Sequence, residues 1–553
     1  MSAEDRPLNT DRPSEGAPPE ENEQIPGTVH LVDLLGTMHA QHAKGSQRDI
    51  VLVPAPSPDP DDPLNWSPAR KALSTACMCI YTFVVGLTSA AIYSVFAPIS
   101  EETSLTLDDL NRGTGYMFLF FGWGCLIWQP LALQYGKRPV YLLSILITIA
   151  TQIWAPHTRT NGHWIANKIV QGFAGAPIES LCEISITDIY FTHERGRYIA
   201  LYALLLAGSS FFAPIISGFI SDGQGWQWVL YWCAIFNGIG FVFLFFFMEE
   251  TNYVRHHGGV VPLTSDLKTP LRSDKTENIA PGASESGVSQ NHTYKLKSYW
   301  DKINLVQRSD LQKPNELRGM ATRPLIFLTF PVIFYAGFSY GSNLVWFNVL
   351  NATASLILAG KYGFSASMVG LSYVSALLGV VVAAAYTGWV GDWFVIRKAR
   401  KNSGIMESEH RLWMFVPSLV LVPFGLILWG VGSANNVHWF GPVFAMGVIS
   451  ATNTFGLQLS VSYCIDSYRA LSGEAIITVI LVRNTMSFAI GYGITPWVTN
   501  MGLQNCFITA AFVGLAQVAT IFIMIKWGKT LRRRSIPRYS RYVTEMEKSG
   551  MVH

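Results

Sequence analysis

Residues 164–190, from Trp164 to Tyr190, read WIANKIVQGFAGAPIESLCEISITDIY. The segment is long and apolar enough to cross a bilayer, yet it carries Lys168, Glu179, Glu183 and Asp188. On a helix that turns about 100° per residue, Glu179 and Glu183 lie about 20° and 60° from Lys168, whereas Asp188 lies about 200° away. Three of the charges therefore share one face of the predicted span.

The charged face also carries small residues, Gly172, Gly175 and Ala176, which leave room beside the helix. A charge in the hydrocarbon layer costs several kcal/mol unless it faces a partner, water or the inside of a helix bundle. An intramembrane carboxylate is therefore first interpreted as part of a functional site. The segment predicts the wall of a cavity, and a purely structural salt bridge is the alternative.

The composition of the whole chain indicates a membrane protein with many spans. Of 553 residues, 50% are hydrophobic and only 14% are charged. The seven cysteines show no spacing typical of a zinc site or a disulfide framework, so no metal is predicted. No phosphate-binding loop or paired nucleophile and base stands out, so we expect no enzyme activity and no cofactor. The net charge of +3 is uninformative as a total, because the charges are unevenly distributed along the chain, and no nucleic-acid partner is implied.

Apolar runs of roughly 20 residues predict an all-α membrane protein with twelve transmembrane helices in two six-helix pseudo-symmetric bundles. We number the predicted spans 1 to 12, near 72–94, 113–134, 139–156, 164–190, 197–221, 227–247, 324–349, 364–391, 412–432, 437–465, 474–499 and 504–527. The predicted domains are a disordered cytoplasmic tail at 1–68, an N-terminal bundle at 69–248, a cytoplasmic linker at 249–321, a C-terminal bundle at 322–528 and a basic cytoplasmic tail at 529–553. A short helix is expected near Tyr299 to Val306, and Ser67 is expected to cap span 1.

Basic residues in the short loops predict the orientation. One side collects Arg70, Lys71, Lys137, Arg138, Arg195, Arg197, Arg397, Lys398, Arg400, Lys401, Arg469 and the basic tail. The other side has only Arg112, Arg159 and Lys361 in its loops. Both termini are therefore expected in the cytoplasm, in a plasma-membrane protein. A glycosylation sequon at Asn351 lies at the outer end of span 7, very close to the membrane.

Loop motifs repeat between the two halves. Gly136-Lys137-Arg138 joins spans 2 and 3, and Gly391-Asp392 followed by Arg397 occupies the matching loop of the second half. Two six-span halves with these loops resemble the major facilitator superfamily. Lys168 with Gln171-Gly172, and Glu194-Arg195-Gly196 after Asp188, resemble motifs of its fungal twelve-span drug:proton antiporter branch. Within that branch the chain is most similar to the histidinol/polyamine permease subgroup, through Asp62–Ser67 (DPLNWS), Tyr190–Gly196 (YFTHERG), Gly391–Phe394 (GDWF), Tyr463–Tyr468 (YCIDSY) and Gly473–Ala475 (GEA).

The resemblance implies that spans 1, 4, 7 and 10 line a central cavity. Glu179 is then expected near mid-bilayer, with Glu183 one turn nearer the cytoplasm and Lys168 at the outer rim. Two carboxylates one turn apart repel each other, which makes the pair a plausible proton acceptor. Arg483 on span 11 is expected to neutralise one of them, to orient a substrate anion, or to hold span 11 against span 2.

Other residues complete the predicted site. Tyr93, Tyr335 and Tyr340 are expected to supply aromatic faces for an organic cation. Asn343, Asn348 and Asn453 are expected to supply hydrogen bonds. Asn484 is expected to pack between helices. The gating residues are expected to form ion pairs that hold one access state, with ordinary loop charge as the alternative: Lys137, Arg138, Asp188 and Arg195 in one half, and Asp392, Arg397, Asp466, Arg469 and Glu474 in the other.

Together these features predict a secondary transporter of small organic cations, such as polyamines or amine-bearing drugs, that works by proton-coupled alternating access. The direction of transport stays open, and a monomer in the lipid bilayer is expected. The alternative is a nutrient sensor that keeps the fold without transporting. A membrane enzyme is the least favoured reading.

Overall fold

A computed structural model describes residues 25–30, 57, 59–253, 298–305, 315, 317–402 and 405–548. Much of the predicted 1–68 tail and 249–321 linker therefore lies outside the described residues. In the N-terminal half, spans 1 to 3 are the helices Pro68–Ala90, Leu107–Tyr135 and Lys137–Trp154. Span 4 comprises Asn161–Gly175, Ala176–Glu179 and Leu181–Ile189, and spans 5 and 6 are Thr192–Gln224 and Trp226–Phe247. A short helix, Phe96–Glu102, joins spans 1 and 2.

The C-terminal half repeats this arrangement. Span 7 is Pro331–Ala354, preceded by Leu317–Phe327 and continued by a wide turn at Ser355–Ala359. Span 8 runs through Ala366–Ala385, Tyr386–Val390 and Gly391–Lys401, and span 9 through Ser408–Phe415, Ser418–Leu426, Ile427–Val431 and Gly432–Ala434. Span 10 is Phe440–Ser467, followed by a turn at Arg469–Leu471, and spans 11 and 12 are joined in Ser472–Ala519. The last helix is Ile521–Lys548, and the linker contributes Tyr299–Lys302, within the predicted short helix.

The helical membrane architecture is confirmed, and the described residues contain ten helices long and apolar enough to cross a bilayer. Two features explain why this number is smaller than twelve. Span 4 is divided into pieces too short to qualify alone. Spans 11 and 12 follow each other without a loop and so count as one helix, although Gly502, with φ of 74°, turns the chain between them. The pattern is thus consistent with twelve spans.

Span 4 is not one uninterrupted helix, as a constant turn of 100° per residue requires. Its regular helix ends at Gly175, a tight turn covers Ala176–Glu179, and helix resumes at Leu181. Pro177 explains the break, because proline has no N–H for the helical ladder and its ring crowds the preceding turn. Ser180 has φ of −133° and lies outside helical geometry. Angles counted across this break therefore do not hold for Glu183 and Asp188.

Small residues allow the two halves to touch. Spans 5 and 8 approach so closely that a methyl group at Gly218 would collide with the Ala366 carbonyl, and one at Gly370 with the Pro214 carbonyl. Spans 2 and 11 meet at Gly115 and Gly491. Backbone contact of this kind is the normal way in which membrane helices pack, since lipid gives no hydrophobic drive for helix association.

The two predicted tails contribute described structure. Thr28–His30, inside the predicted N-terminal tail, pairs antiparallel with Ile405–Glu407, so the all-α prediction omitted a two-stranded sheet. Residues 529–548 of the predicted basic tail continue the last helix. The Ser67 cap is confirmed, because its hydroxyl accepts a hydrogen bond from the Arg70 amide at 3.4 Å.

We name the charged group at the end of the C-terminal half the tail cluster: Glu407, Glu409, Lys529 and Arg532. Arg532 is fully buried and bonds to both carboxylates and to the Pro26 carbonyl. Lys529 donates to Glu407 at 2.6 Å. The cluster joins three remote parts of the chain.

Candidate functional site

A cavity of about 120 Å³ lies between the two halves. Spans 1, 4, 7 and 10 all contribute to its wall, as the resemblance implies, and spans 2, 5 and 11 contribute as well. Its polar and aromatic lining residues are Ser89, Tyr93, Phe118, Phe121, Glu179, Ser210, Phe211, Tyr340, Phe347, Asn348, Asn351, Asn453, Thr454, Arg483 and Asn484. The cavity is therefore mixed, with one carboxylate and one guanidinium among amides, hydroxyls and rings.

Glu179 and Arg483 form an ion pair across this cavity. The Arg483 Nη2 bonds to the Glu179 carboxylate, and its Nη1 donates to the Tyr340 hydroxyl at 2.5 Å. The guanidinium carbon lies 4.6 Å from the centre of the Tyr340 ring. The side chains are only 14% and 7% exposed, so the two charges neutralise each other in a largely dry site. Arg483 therefore pairs with Glu179 and not with Glu183.

Glu183 takes a different position. It does not line the cavity, is half-buried, and has no hydrogen bond or ion pair among the described residues. Glu183 is thus an acid without a counter-ion in the described structure.

Lys168 lies inside the N-terminal half and not on the cavity wall. It is fully buried, donates to Gln171 Oε1 at 2.7 Å, and sits 4.5 Å above the Trp164 ring. Gln171 in turn donates to the Thr88 carbonyl at 3.4 Å. These contacts join spans 1 and 4 within one half.

The structure separates the predicted aromatic and amide residues. Tyr93 and Tyr340 line the cavity. Tyr335 does not, and its ring packs at 6.3 Å from that of Tyr463. Asn343 also lies away from the cavity, where its amide donates to the Ser339 carbonyl at 2.9 Å and its side chain packs against Gly456.

Asn484 packs against Gly122 of span 2, as expected, and it also lines the cavity. Asn351 was considered only as a sequon, yet it is buried and accepts a hydrogen bond from Tyr373 at 3.0 Å, which leaves no room for a glycan. The spacing of Asn348 and Asn351, three residues apart on span 7, is the sequence signal that could have placed both on one face.

Ion pairs at matching span ends follow the internal repeat. Lys137 at the start of span 3 pairs with Asp188 at the end of span 4, and Arg411 at the start of span 9 pairs with Asp466 at the end of span 10, at 2.5 Å. The first pair is buried, with side chains 2% and 7% exposed, whereas the second is 26% and 15% exposed. We call them the N-pair and the C-pair.

Other predicted gating residues have different partners. Arg195 donates to the carbonyls of Tyr190 and Thr187, at 2.9 and 2.7 Å, and caps the end of span 4. Arg138 binds the carbonyls of Phe245 and Ile303. Glu474 pairs with Arg323 at 2.9 Å. Arg397 lies over the Trp393 ring, Arg469 is exposed, and the side chain of Asp392 is outside the described part.

The carboxylate of Glu250, beyond the end of span 6, caps the start of span 3. Its carboxylate accepts from the backbone amides of Lys137 and Arg138, at 3.0 and 2.9 Å. Burial raises the pKa of Glu250 above its ordinary value, although these amides oppose the shift. The contact fixes the helix end that carries Lys137.

Asp188→Asn is expected to lower the free energy of unfolding by about 3–5 kcal/mol, because it leaves the buried Lys137 ammonium without its carboxylate partner. Asp466→Asn, in the more exposed C-pair, is expected to cost about 1 kcal/mol or less. Thermal unfolding of both purified variants in detergent measures the difference. Equal losses would show that burial does not distinguish the two pairs.

The two halves are joined at the span ends opposite the N-pair and the C-pair. Ser355 Oγ donates to the Tyr93 carbonyl at 3.1 Å, and the Asn111 amide donates to the Ala352 carbonyl at 3.3 Å and to Thr495 at 3.0 Å. The amide of Ser367 donates to Asp222 at 3.0 Å. These bonds separate the central cavity from an outer pocket of about 540 Å³ that Ala352 and Thr495 help to line.

Comparison with known proteins agrees with this architecture. The sequence profile described as Major Facilitator Superfamily matches residues 78–473. An uncharacterised MFS-type transporter of Schizosaccharomyces pombe is 27% identical over 94% of both chains. Protein HOL1 of Saccharomyces cerevisiae is 25% identical over 92% of this chain and 95% of its own. The crystal structure of a D-xylose-proton symporter superposes with a TM-score of 0.52 at 12% identity, covering 82% of this chain and 96% of that one, which shows a shared fold alone.

Proposed function

This chain belongs to the major facilitator superfamily and is a multi-pass membrane transporter, and from that premise we propose that it moves small organic cations by proton-coupled alternating access. The observation that carries the proposal is the Glu179–Arg483 pair inside the cavity. A carboxylate there attracts an ammonium group, and the rings of Tyr93, Tyr340 and Phe118 offer faces to its alkyl part.

In the proposed cycle, an incoming ammonium group competes with Arg483 for Glu179. Arg483 keeps its bond to Tyr340, so it is not left without a partner when the carboxylate turns to the cargo. Protonation of Glu179 removes its negative charge and releases the cation, and loss of that proton then restores the ion pair with Arg483. Glu183 takes the second part, as the acid without a counter-ion that collects or delivers the proton on the cytoplasmic side.

The N-pair, the C-pair and the Glu474–Arg323 pair are proposed to bias the access state. Each connects elements of one half at its cytoplasmic end, where the halves must change their separation during alternating access. Ion pairs of this kind can shift an equilibrium by a few kcal/mol, which cargo and protons then redistribute.

Further details of the proposal rest on resemblance. From its motifs we propose that the chain falls in the fungal drug:proton antiporter branch, near the histidinol/polyamine permeases. We propose a plasma-membrane monomer with both termini in the cytoplasm. A membrane potential contributes about 2.3 kcal/mol per charge per 100 mV, enough to drive accumulation of a cation.

The proposal is tested with the purified protein in liposomes. Uptake of labelled spermidine and of a panel of cationic drugs is measured while the pH gradient and the membrane potential are imposed separately. We expect uptake that responds to both. Cation binding without any flux would favour the sensor alternative, and selective uptake of sugars or anions would contradict the proposed cargo class.

A further inference from the structure

The last helix, Ile521–Lys548, packs one face against the C-terminal half. The hydroxyl of Ser535 lies 2.6 Å from that of Tyr468, just after span 10. The Tyr542 ring lies 5.6 Å from that of Phe327, just before span 7. The helix therefore runs along the ends of several spans, and the bundle covers this side of it.

The opposite face of the same helix carries three arginines, Arg533, Arg534 and Arg538, which we name the basic face. All three are exposed, and none has a hydrogen bond, an ion pair or a ring contact within the part of the chain that the structure describes. Arg541, on the same side, already pairs with Glu545 at 3.2 Å. Three like charges within about 8 Å of helix length create a local positive potential that favours an acidic partner.

The N-terminal tail is held at the start of this basic face. The carbonyl of Pro26 accepts a hydrogen bond from Arg532, the residue that immediately precedes Arg533. Ser408 Oγ donates to the Gly27 carbonyl at 3.0 Å. These bonds fix the tail beside the last helix, so the residues before Pro26 are tethered to the basic face.

The residues that precede this anchor are acidic. The sequence directly before Ile25 contains Glu20, Glu21 and Glu23, outside the described residues. They stand three to six positions before Pro26, so each lies within about 20 Å of it even in a fully extended chain. The basic face begins at the anchor and ends about 9 Å further along the helix. The three acids are therefore within reach of the three arginines, at an effective concentration on the order of millimolar.

We infer that the basic face is the docking surface for the acidic segment Glu20–Glu23 of the same chain, and that this contact keeps the tail on the C-terminal half. The strand pair formed by Thr28–His30 and Ile405–Glu407 has only three residues on each side, which is too short to hold a tail by itself. Each exposed ion pair contributes little, but three pairs on one tethered segment act together.

Anionic lipid headgroups also carry negative charge, but the surroundings of the basic face favour the tail. The exposed large apolar residues of the last helix, Phe522, Ile523 and Trp527, end before the basic face begins, and none follows them within residues 528–545. Helices that bind a lipid surface enter it with exposed apolar side chains beside the basic ones. A tethered acidic segment needs the charges alone.

Cross-linking of the full-length protein in detergent tests the inference. Asn22→Cys places a thiol in the acidic segment, Pro537→Cys places one on the exposed side of the last helix, and a short bis-maleimide joins the two when the segment is docked. The native cysteines are buried apart from the half-buried Cys79, and each Cys variant alone measures the background. We expect cross-linking well above that background at about 0.05 M salt and at least about fivefold slower cross-linking at about 0.5 M, because salt screens exposed charges.

Charge variants assign the contact to the basic face. Neutralising its three arginines is expected to slow cross-linking at least about fivefold, and so is reversing the charge of the three acids. Reversing both sets together is expected to restore the rate. The neutral set is Arg533→Gln, Arg534→Gln and Arg538→Gln, and the reversed sets change the three acids to Lys and the three arginines to Glu. The control removes the same charge from exposed residues of the helix Gly391–Lys401: Arg397→Gln, Arg400→Gln and Lys401→Gln.

Slower cross-linking in both charge variants, with recovery when both sets are reversed, supports the inference. Cross-linking at the background rate, or an unchanged rate after the arginines are neutralised, would overturn it. Equal slowing in the control would show that overall charge, and not the basic face, attracts the segment. Loss of cross-linking when phosphatidylserine is added to the detergent at low salt would assign the basic face to lipid headgroups instead.

Discussion

Uptake driven by a pH gradient is expected to fall at least about a hundredfold in Glu179→Gln, because the change removes the cavity's carboxylate and leaves the buried Arg483 charge unpaired, a loss worth about 3–5 kcal/mol. Glu179 has the direct contact with Arg483, and that guanidinium is held in place by Tyr340. Gln keeps the shape of the side chain but can neither carry charge nor exchange a proton. Both cargo binding and coupling should therefore be lost.

Glu183→Gln is the matched comparison, since it makes the same chemical change at the next acidic residue of span 4. Glu183 has no counter-ion among the described residues, so its replacement by a neutral side chain leaves no described cation without its partner. We expect this variant to fold normally, to bind cargo, and to lose only the dependence of uptake on the pH gradient. Undiminished gradient-driven uptake in Glu179→Gln would remove the proposed site. Normal pH dependence in Glu183→Gln would remove its proton role.

Arg532→Met is expected to be strongly destabilising and to lower the melting temperature in detergent by about 5–10 °C, from a loss of about 3–5 kcal/mol. Arg532 is fully buried and bonds to Glu407 and Glu409. Met fills the space of the arginine stem but leaves two carboxylates close together with only Lys529 opposite. The Pro26 carbonyl also loses its donor.

The state of Glu407 sets the conditions for that measurement. Burial alone would raise its pKa, but hydrogen bonds from Lys529, Arg532 and Thr28 lower it below the ordinary 4.5. A carboxylate with a lowered folded-state pKa contributes its stability above the unfolded value and loses it as the pH falls through the folded value. The effect of Arg532→Met should therefore be full at neutral pH and shrink in acid.

Arg533→Met is the control, because the neighbouring arginine has the same chemistry on the exposed face of the helix. We expect its melting temperature to stay within about 1 °C of wild type. A similar loss in both variants would mean that net charge of the last helix, and not the buried cluster, supports stability.

Much of the fold was predictable because its signals are strong and local. Runs of about 20 apolar residues mark spans whatever their partners are, and loop basic residues repeat in both halves. The position of Glu179 on a cavity wall followed from the cost of its charge. Its pairing with Arg483 could only be one of several options, since the residues are 304 positions apart and their contact depends on how the halves dock.

Other features of the structure were not predicted from the sequence, for reasons that can be identified. Pro177 was visible in the sequence, but an even helical turn was assumed through it, so Glu183 was placed on the cavity face with Glu179. Tyr335 and Asn343 share span 7 with Tyr340, and only the rotation of that helix decides which of them meets the cavity. The pairing of Thr28–His30 with Ile405–Glu407 joins short polar segments that carry no periodic signal.

The break in span 4 also has a mechanical consequence. The helix Leu181–Ile189 is a short rod that holds Glu183 near one end and Asp188 near the other, about 7.5 Å apart along its axis at 1.5 Å per residue. Glu179 belongs to the turn before the rod, not to the rod itself. A tilt that pulls Asp188 from Lys137 therefore displaces Glu183 at once while Glu179 stays at the pivot. In the proposed transport cycle, Glu183, as the proton-exchanging acid, is therefore expected to move together with the Lys137–Asp188 ion pair, while Glu179, as the cargo contact, stays near the pivot.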